Sequence, residues 1–333
     1  MSRNDRIIAV QRLKELLIRH LRSIFRIPRV SQSDTSIRGD VGQVSREESS
    51  SKWRHELFSA FLEEDKSVSF ESASESGPFP SSLIEFLQGH NLCQGYLTCN
   101  RGTLSDLRCG FFLTRHKPLP TFAEALFKEE NQILNMSGFF LEVRNDVRTS
   151  RRMDIVPHLH VTFQNTKSGR RFGGHLIDCR SGNLRCDIVP LRGGTIKRVT
   201  DPHAGTMHIR VDGAKEERTS ANRTLIFALP PREEFPGGLR KIMTNRGIRE
   251  GEIRFALGTL ESANVLGMRG IEGIRPREGL EMISAQGRLV SRDRDHLCKI
   301  DAHLVERSGA CHSAKIQDGV VKDLVEGALR IGH

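Results

Sequence analysis

Residues 156–179 decide the fold, and they read Val-Pro-His-Leu-His-Val-Thr-Phe-Gln-Asn-Thr-Lys-Ser-Gly-Arg-Arg-Phe-Gly-Gly-His-Leu-Ile-Asp-Cys. Residues 158–163 and 171–178 are candidate strands, and the segment between them is polar and contains glycine. Two such runs around a short polar turn are typical of a β-hairpin. The stretch therefore predicts two neighbouring antiparallel strands.

Three histidines lie on this hairpin. Side chains two positions apart on a strand face the same side, so His158 and His160 point one way. The turn brings His175 alongside on the next strand, and Gly173 and Gly174 remove side chains where a ligand would approach closely. Three imidazoles with a fourth position open suit a catalytic zinc site. The spacing predicts a site for zinc or another divalent transition metal, although half-buried sheet histidines have the same pattern.

An internal repeat extends the prediction to the rest of the chain. Phe79-Pro80 aligns with Phe235-Pro236, and Gly102-Thr103-Leu104 aligns without a gap with Gly258-Thr259-Leu260. Each copy predicts a helix, over 81–90 or 237–246, then a strand and a Gly-Thr-Leu turn. A helix followed by many strands, twice over, predicts an α+β fold. We expect two tandem domains, each a mainly antiparallel sheet with flanking helices.

The predicted organisation has four parts: a basic amphipathic helix over 1–29, a linker over 30–65, and domains over 66–211 and 222–330. The first thirty residues hold eight Lys or Arg and two acids, so most of the net charge of +10 lies there. This helix has several interpretations: packing on the body or a partner chain, contact with a membrane surface or nucleic acid, or targeting. Its candidate nucleic-acid contacts are Arg12, Arg19 and Arg22.

Composition excludes several classes of protein. No run approaches the ~20 apolar residues that cross a bilayer, and the N-terminus lacks the pattern of a secretion signal. The seven cysteines are odd in number and contain no Cys-x-x-Cys pair, which argues against a disulfide scaffold and a zinc ribbon. We expect a cytoplasmic protein with reduced thiols.

The motifs also carry a family resemblance. Pro-His-Leu-His at 157–160, Ser-Gly at 168–169 and Gly-Gly-His-Leu at 173–176 resemble the core pattern of the plants-and-prokaryotes conserved domain, known as PPC or PCC. The resemblance covers about 80–190 and, more weakly, 222–325. It implies a compact α+β domain that assembles as a trimer, with two fused domains giving a pseudo-hexamer.

The same resemblance implies that the three histidines hold a metal ion. Plant relatives combine the domain with AT-hooks and act on DNA, but this chain has no Arg-Gly-Arg-Pro core. The second copy departs from the pattern: it has Cys298, His303 and His312, and alignment places Lys315 near the position of His175. A lysine there would repel a cation, so we expect a metal site in the first copy only and a second copy kept for assembly.

The predicted function is that of a metal-binding PPC-domain protein with a regulatory or ligand-binding role. One alternative is a metal-dependent enzyme in which metal-bound water reacts. Its catalytic residues are unknown, because nothing in the spacing selects a general base among Asp154, Asp178 and Asp187. The other alternative is DNA binding through the basic N-terminal helix.

Overall fold

The computed structural model describes residues 57–72, 77–116, 119–144, 153–200, 207–214, 223–267, 270–276, 279–291, 299–306 and 311–331. The predicted basic helix over 1–29 lies outside these residues, and so do Arg12, Arg19 and Arg22.

Strands dominate the described residues. The first group of strands is β1 (Phe58–Glu64), β2 (Val68–Glu71), β3 (Gly77–Phe79), β4 (Gln94–His116), β5 (Leu119–Phe127), β6 (Asn131–Arg144), β7 (Met153–Asn165) and β8 (Arg171–Arg192). A hairpin follows, formed by β9 (Thr195–Thr200) and β10 (Met207–Asp212). The second group is β11 (Arg223–Leu229), β12 (Glu234–Phe235), β13 (Glu250–Gly267), β14 (Gly270–Ile274), β15 (Leu280–Val290), β16 (Lys299–Glu306) and β17 (Cys311–Ile331). Below, β1–β8 are called the first half and β11–β17 the second half.

The prediction of an α+β fold with flanking helices is wrong. The described residues contain two helices of nine residues each, α1 (Ser81–Gly89) and α2 (Gly237–Asn245). Both stand where the repeat predicts them, each directly after a Phe-Pro pair. Each helix contributes two or three apolar side chains to a core, and strands supply most of the other buried apolar residues. The architecture is a large antiparallel sheet.

The strand order is the same in the two halves. Along the large sheet it runs β14-β13-β15-β16-β17-β11-β1-β8-β7-β6-β4-β5, and every pairing is antiparallel. Additional pairings of β13 with β17 and of β4 with β8 close four strands of each half into a ring. β1 pairs with β11 and joins the halves. This joining strand, Phe58–Glu64, lies inside the predicted linker over 30–65.

The predicted hairpin over 158–178 is confirmed. β7 and β8 pair antiparallel, and the turn between them covers 166–170. The predicted Gly-Thr-Leu turns are wrong, because Gly102 and Gly258 lie inside the long strands β4 and β13. Both glycines have positive φ, 124° and 150°, and both lie at register shifts of their strands. The chain bends there without reversing, as at a β-bulge.

Three hydrophobic cores hold these strands. One core lies within the first half, around Leu83, Leu97 and Phe163. The second core lies within the second half, and a third lies between the halves. In the third core the ring of Phe255 packs on Phe139, with ring centroids 4.8 Å apart. The two halves therefore bury apolar surface against each other.

Neither helix in the described residues is long and apolar enough to cross a membrane.

Candidate metal centre

The three histidines converge on one point. His158 and His160 lie on β7, and His175 lies on β8 directly opposite His160 in the antiparallel register. Nε2 of His158 is 3.2 Å from Nδ1 of His175 and 3.3 Å from Nε2 of His160. The alternation of side chains on β7 and the return of the hairpin produce this cluster, as the sequence predicts.

The spacing of these nitrogens fits a metal ion. Zinc binds imidazole nitrogen at about 2.0–2.1 Å in tetrahedral sites, which places two ligand nitrogens about 3.3 Å apart. One nitrogen from each histidine lies within 4.8 Å of the other two. The side chain of His160 is 2% exposed, whereas those of His158 and His175 are 15% and 18% exposed. The centre is buried on one side and accessible on the other.

Glu281, on β15 of the second half, faces the outer side of two rings. Its Oε1 lies 3.0 Å from Nε2 of His175 and 3.9 Å from Nδ1 of His160. Oε1 of Glu281 makes no hydrogen bond with the described residues, so this contact brings a carboxylate beside the ring without a hydrogen bond. Metal-binding histidines commonly have a carboxylate on their outer side.

Glu326, on β17, faces the third ring. Its Oε1 lies 3.7 Å from Nδ1 of His158. Nη2 of Arg198, on β9, donates a hydrogen bond of 2.9 Å to the same Nδ1. The backbone N–H of Ile209 on β10 donates to Oε2 of Glu326, which ties the β9–β10 hairpin to the second half. Arg198 therefore reaches the centre from a hairpin that Glu326 holds in place.

Burial dominates the electrostatics of the centre. It lowers the pKa of His158 and His160 well below 6.5, and the positive charge of Arg198 lowers both further. Burial raises the pKa of Glu326 above 4.5, against the opposing effect of Arg198. Two of the three imidazoles are therefore neutral at pH 7, the protonation state in which imidazole binds a metal.

The equivalent place in the second half has a different set of side chains. The two halves can be aligned at a glycine of equivalent position. In the first half Gly138 pairs with Leu159, and His160 is the next residue. In the second half Gly287 pairs with Ile300, and Asp301 is the next residue. Asp301 pairs with Lys315 as His160 pairs with His175, and Nζ of Lys315 lies 3.1 Å from Asp301 Oδ1. Lys315 therefore has the register position of His175, as the alignment predicts.

The other histidines of the second half have separate partners. Nδ1 of His303 lies 2.8 Å from the hydroxyl of Ser313, and Nε2 of His312 lies 2.8 Å from a carboxylate oxygen of Glu306. Cys298 lies outside the described residues. Among the residues that the structure describes, His158, His160 and His175 form the one cluster with metal-ligand geometry.

The predicted ligand-adjacent glycines have a packing role. A Cβ on Gly173 would lie 2.8 Å from Thr162 Cγ2 and 3.1 Å from Ile283 Cγ1. Ile283 belongs to the second half, so Gly173 permits close approach of the two halves. Gly174 is buried and pairs with Val161 on β7.

The carboxylates considered as general bases lie elsewhere. Asp178 accepts a hydrogen bond of 2.7 Å from Arg108, and Asp187 lines a separate cavity. The side chain of Asp154 lies outside the described part.

Sequence reasoning missed the second half's contribution to the centre. We expected a second copy kept for assembly, yet it supplies both buried carboxylates. A local signal exists, because Glu281 stands beside Leu280 and Met282, and Glu326 follows Val325 in a run of small and apolar residues. A charge in a buried strand is rarely left without a partner. The sequence pattern does not identify which residue pairs with each of these glutamates.

Comparisons with known proteins show a likeness in fold. No family model matches the sequence, and no curated protein matches it. Solved structures do match. A plant- and prokaryote-conserved (PPC) protein from Pyrococcus horikoshii has 18% identity and a TM-score of 0.37, and the match covers 45% of this chain and 96% of that one.

Two further matches have similar extent. A metal-containing protein from Archaeoglobus fulgidus has 20% identity and a TM-score of 0.37, with 44% of this chain and 94% of that one covered. A protein from Bacteroides thetaiotaomicron, described as a candidate DNA-binding protein, has 17% identity and a TM-score of 0.34, with 45% and 96% covered. Each of these matches covers somewhat less than half of this chain and nearly all of the other protein.

Proposed function

We propose that this protein binds one divalent transition metal ion per chain, zinc or a related metal, at His158, His160 and His175. The single observation that carries the proposal is the 3.2 and 3.3 Å spacing of their inward nitrogens. An ion held by three imidazoles acts as a Lewis acid toward a donor atom in its remaining coordination position. The partial exposure of His158 and His175 gives a ligand access to that position.

The surroundings support the same function. Glu281 and Glu326 are 8% and 2% exposed, so each carboxylate would be costly to bury without positive charge nearby. A bound cation supplies such charge, and Arg198 supplies part of it. In the metal-free arrangement Arg198 donates to Nδ1 of His158, which leaves the ring proton on Nε2 at the centre. Metal binding at Nε2 therefore requires this proton to move to Nδ1 and the hydrogen bond from Arg198 to break.

The proposal includes a duplication of one domain within the chain, after which the two copies contribute different residues to a single metal centre. The shared strand order of the two rings and the equivalent placing of α1 and α2 support the duplication. The first copy keeps the ligands, and the second provides the carboxylates that orient them. Each chain then has a single complete metal centre, because the second half has Lys315, a cation, at the register position of His175.

Metal analysis tests the function directly. Protein purified without an affinity tag is loaded with zinc or iron(II), passed through a desalting column and measured by plasma mass spectrometry. We expect about one ion per chain, and none in a His158→Ala/His175→Ala variant. The matched control is His303→Ala/His312→Ala in the second half, which keeps its ion. Unchanged metal in the triad variant, or none in the wild type with either ion, contradicts the proposal.

The resemblance stated from the sequence supports two further parts of the proposal, a ligand-binding or regulatory role in the cytoplasm and assembly as a homotrimer. Light scattering at several concentrations tests the trimer, and a monomer throughout contradicts it.

A further inference from the structure

Arg198 lies at the accessible side of the metal centre. Its Nη2 is 2.9 Å from Nδ1 of His158 and 3.5 Å from Nε2 of the same ring, the nitrogen that faces the other two histidines. Arg198 is partly exposed, and so are His158 and His175, whereas His160 is buried. A guanidinium group is therefore close to a metal-binding nitrogen on the side from which a ligand can enter.

The β9–β10 hairpin fixes the backbone of Arg198. Arg198 is the register partner of Ile209, and the backbone N–H of Ile209 donates a hydrogen bond of 3.2 Å to Oε2 of Glu326. Glu326 is 2% exposed and belongs to the second half. The arginine is thus held near the centre by a buried contact, and its position does not depend on the hydrogen bond to His158.

Metal binding leaves Nη2 of Arg198 in need of a new acceptor. When Nε2 of His158 binds an ion, Nδ1 carries the ring proton and becomes a donor, and two donors cannot share a hydrogen bond. Oε1 of Glu326 lies 3.7 Å from Nδ1 and is the acceptor on that side of the ring. The loaded centre therefore has an N–H donor of Arg198 beside the ion.

The charges around a loaded centre favour an anionic ligand. A divalent ion and Arg198 bring three positive charges, whereas Glu281 and Glu326 bring at most two negative charges. Positive charges a few ångströms apart repel one another strongly in a partly buried site. A ligand with one negative charge removes the surplus, and a neutral ligand does not.

We propose, building on the proposed metal site, that the centre binds a small carboxylate, which shares its two oxygens between the ion and Nη2 of Arg198. A carboxylate carries one negative charge and two oxygens on a single carbon, and its hydrogen bonds with arginine are short and strong. Arg198 is then the residue that selects an acid over a neutral ligand of the same shape.

Cobalt(II) reports ligand binding at the ion itself, because its visible absorption changes with its ligand set and it binds imidazole as zinc does. The full chain is loaded with cobalt(II) and titrated with acetate at pH 7. We expect the absorption to change with acetate. Acetamide, which has the same shape without the charge, and sulfate, which has two charges on a tetrahedral ion, should each bind at least tenfold more weakly.

Arg198→Met should weaken acetate binding about tenfold or more, the usual effect of losing a charge-assisted hydrogen bond. The same variant should hold the metal more tightly, because it lacks a positive charge near the ion, whereas a disrupted hairpin would not produce these opposite changes. The matched control is Lys197→Met, which removes the neighbouring exposed cation that pairs with Asp212 and should keep the acetate affinity of the wild type.

The outcomes separate this inference from the metal site. Bound cobalt with no response to acetate, or with the same acetate affinity in Arg198→Met as in the wild type, overturns the role of Arg198 and leaves the metal site standing. Acetamide or sulfate binding as well as acetate overturns the assignment to a carboxylate. A chain that binds no cobalt and no zinc overturns both proposals.

Discussion

Nε2 of His175 lies 3.0 Å from Oε1 of Glu281, and this contact joins the two halves of the chain. A histidine that donates to a carboxylate on its outer side offers a lone pair on its inner side. The contact packs β15 against β8 and places a carboxylate on the outer side of a candidate metal ligand.

Glu281→Gln should weaken zinc binding about 10- to 100-fold, the usual effect of removing an outer carboxylate from a metal-bound histidine. The amide keeps the shape of the side chain and removes the carboxylate from the outer side of His175. Competition with a chromophoric chelator measures the affinity. Glu250→Gln, an exposed site on the neighbouring strand β13, serves as the control. Equal affinities in the two variants would show that Glu281 has no part in the centre.

Arg198→Met should have the opposite effect and tighten zinc binding about tenfold. The change removes a positive charge near the ion. It also removes the hydrogen-bond donor to Nδ1 of His158, which keeps the ring proton on Nε2, the nitrogen that would bind the ion. The same competition assay measures it, with Lys197→Met as the control, because Lys197 pairs with Asp212 at the exposed edge of the β9–β10 hairpin. Weaker binding in Arg198→Met would mean that the guanidinium supports the ligand set.

Acid should destabilise the metal-free protein. The pKa values of His158 and His160 lie well below 6.5 in the folded state, so below pH 6.5 the unfolded chain takes up protons that the folded chain does not. The free energy of unfolding should therefore fall as the pH drops from 7 to 5.5, by up to about 1.4 kcal/mol per pH unit for each histidine.

Urea denaturation in the presence of a chelator measures this dependence. The raised pKa of Glu326 acts in the opposite sense, because its stabilising contribution is lost as the pH rises from 4.5 through its folded pKa. The comparison with a His158→Gln/His160→Gln variant isolates the histidines. A variant with the same dependence on pH as the wild type would contradict the prediction.

Gly173→Ala should destabilise the protein by about 1–3 kcal/mol, the usual cost of overpacking a core. The added methyl group would press on Thr162 and on Ile283 of the second half. Gly89→Ala is the control, since a Cβ there meets nothing within 4 Å and alanine favours the end of α1. Chemical denaturation compares the two, and equal stabilities would show that the halves adjust without cost.

The β-hairpin shows how much of the fold follows from local pattern. The alternation of residues 158–163 and the polar turn determine that His158 and His160 share a face and that His175 returns beside them. The two helices follow in the same way from short apolar runs after Phe-Pro. These features depend on neighbours within about twenty residues, and hydrophobic periodicity reports such neighbours well.

The predicted α+β fold class is wrong for a related reason. The sequence predicts short strands that end at Gly-Thr-Leu, since a glycine in a polar context usually marks a turn. In the structure Gly102 and Gly258 bend strands that continue for many residues, and the long strands displace the expected helical layers. A bulge and a turn have similar local sequences, and the pairing partners decide between them.

By itself the sequence determined the three histidines, the hairpin that gathers them and the loss of equivalent ligands in the second half. Only the tertiary structure decided that Glu281, Glu326 and Arg198 surround them. These contacts join strands that are far apart in the chain. They depend on how whole sheets pack, and burial of apolar surface drives that packing without recording in the local sequence which polar groups will meet.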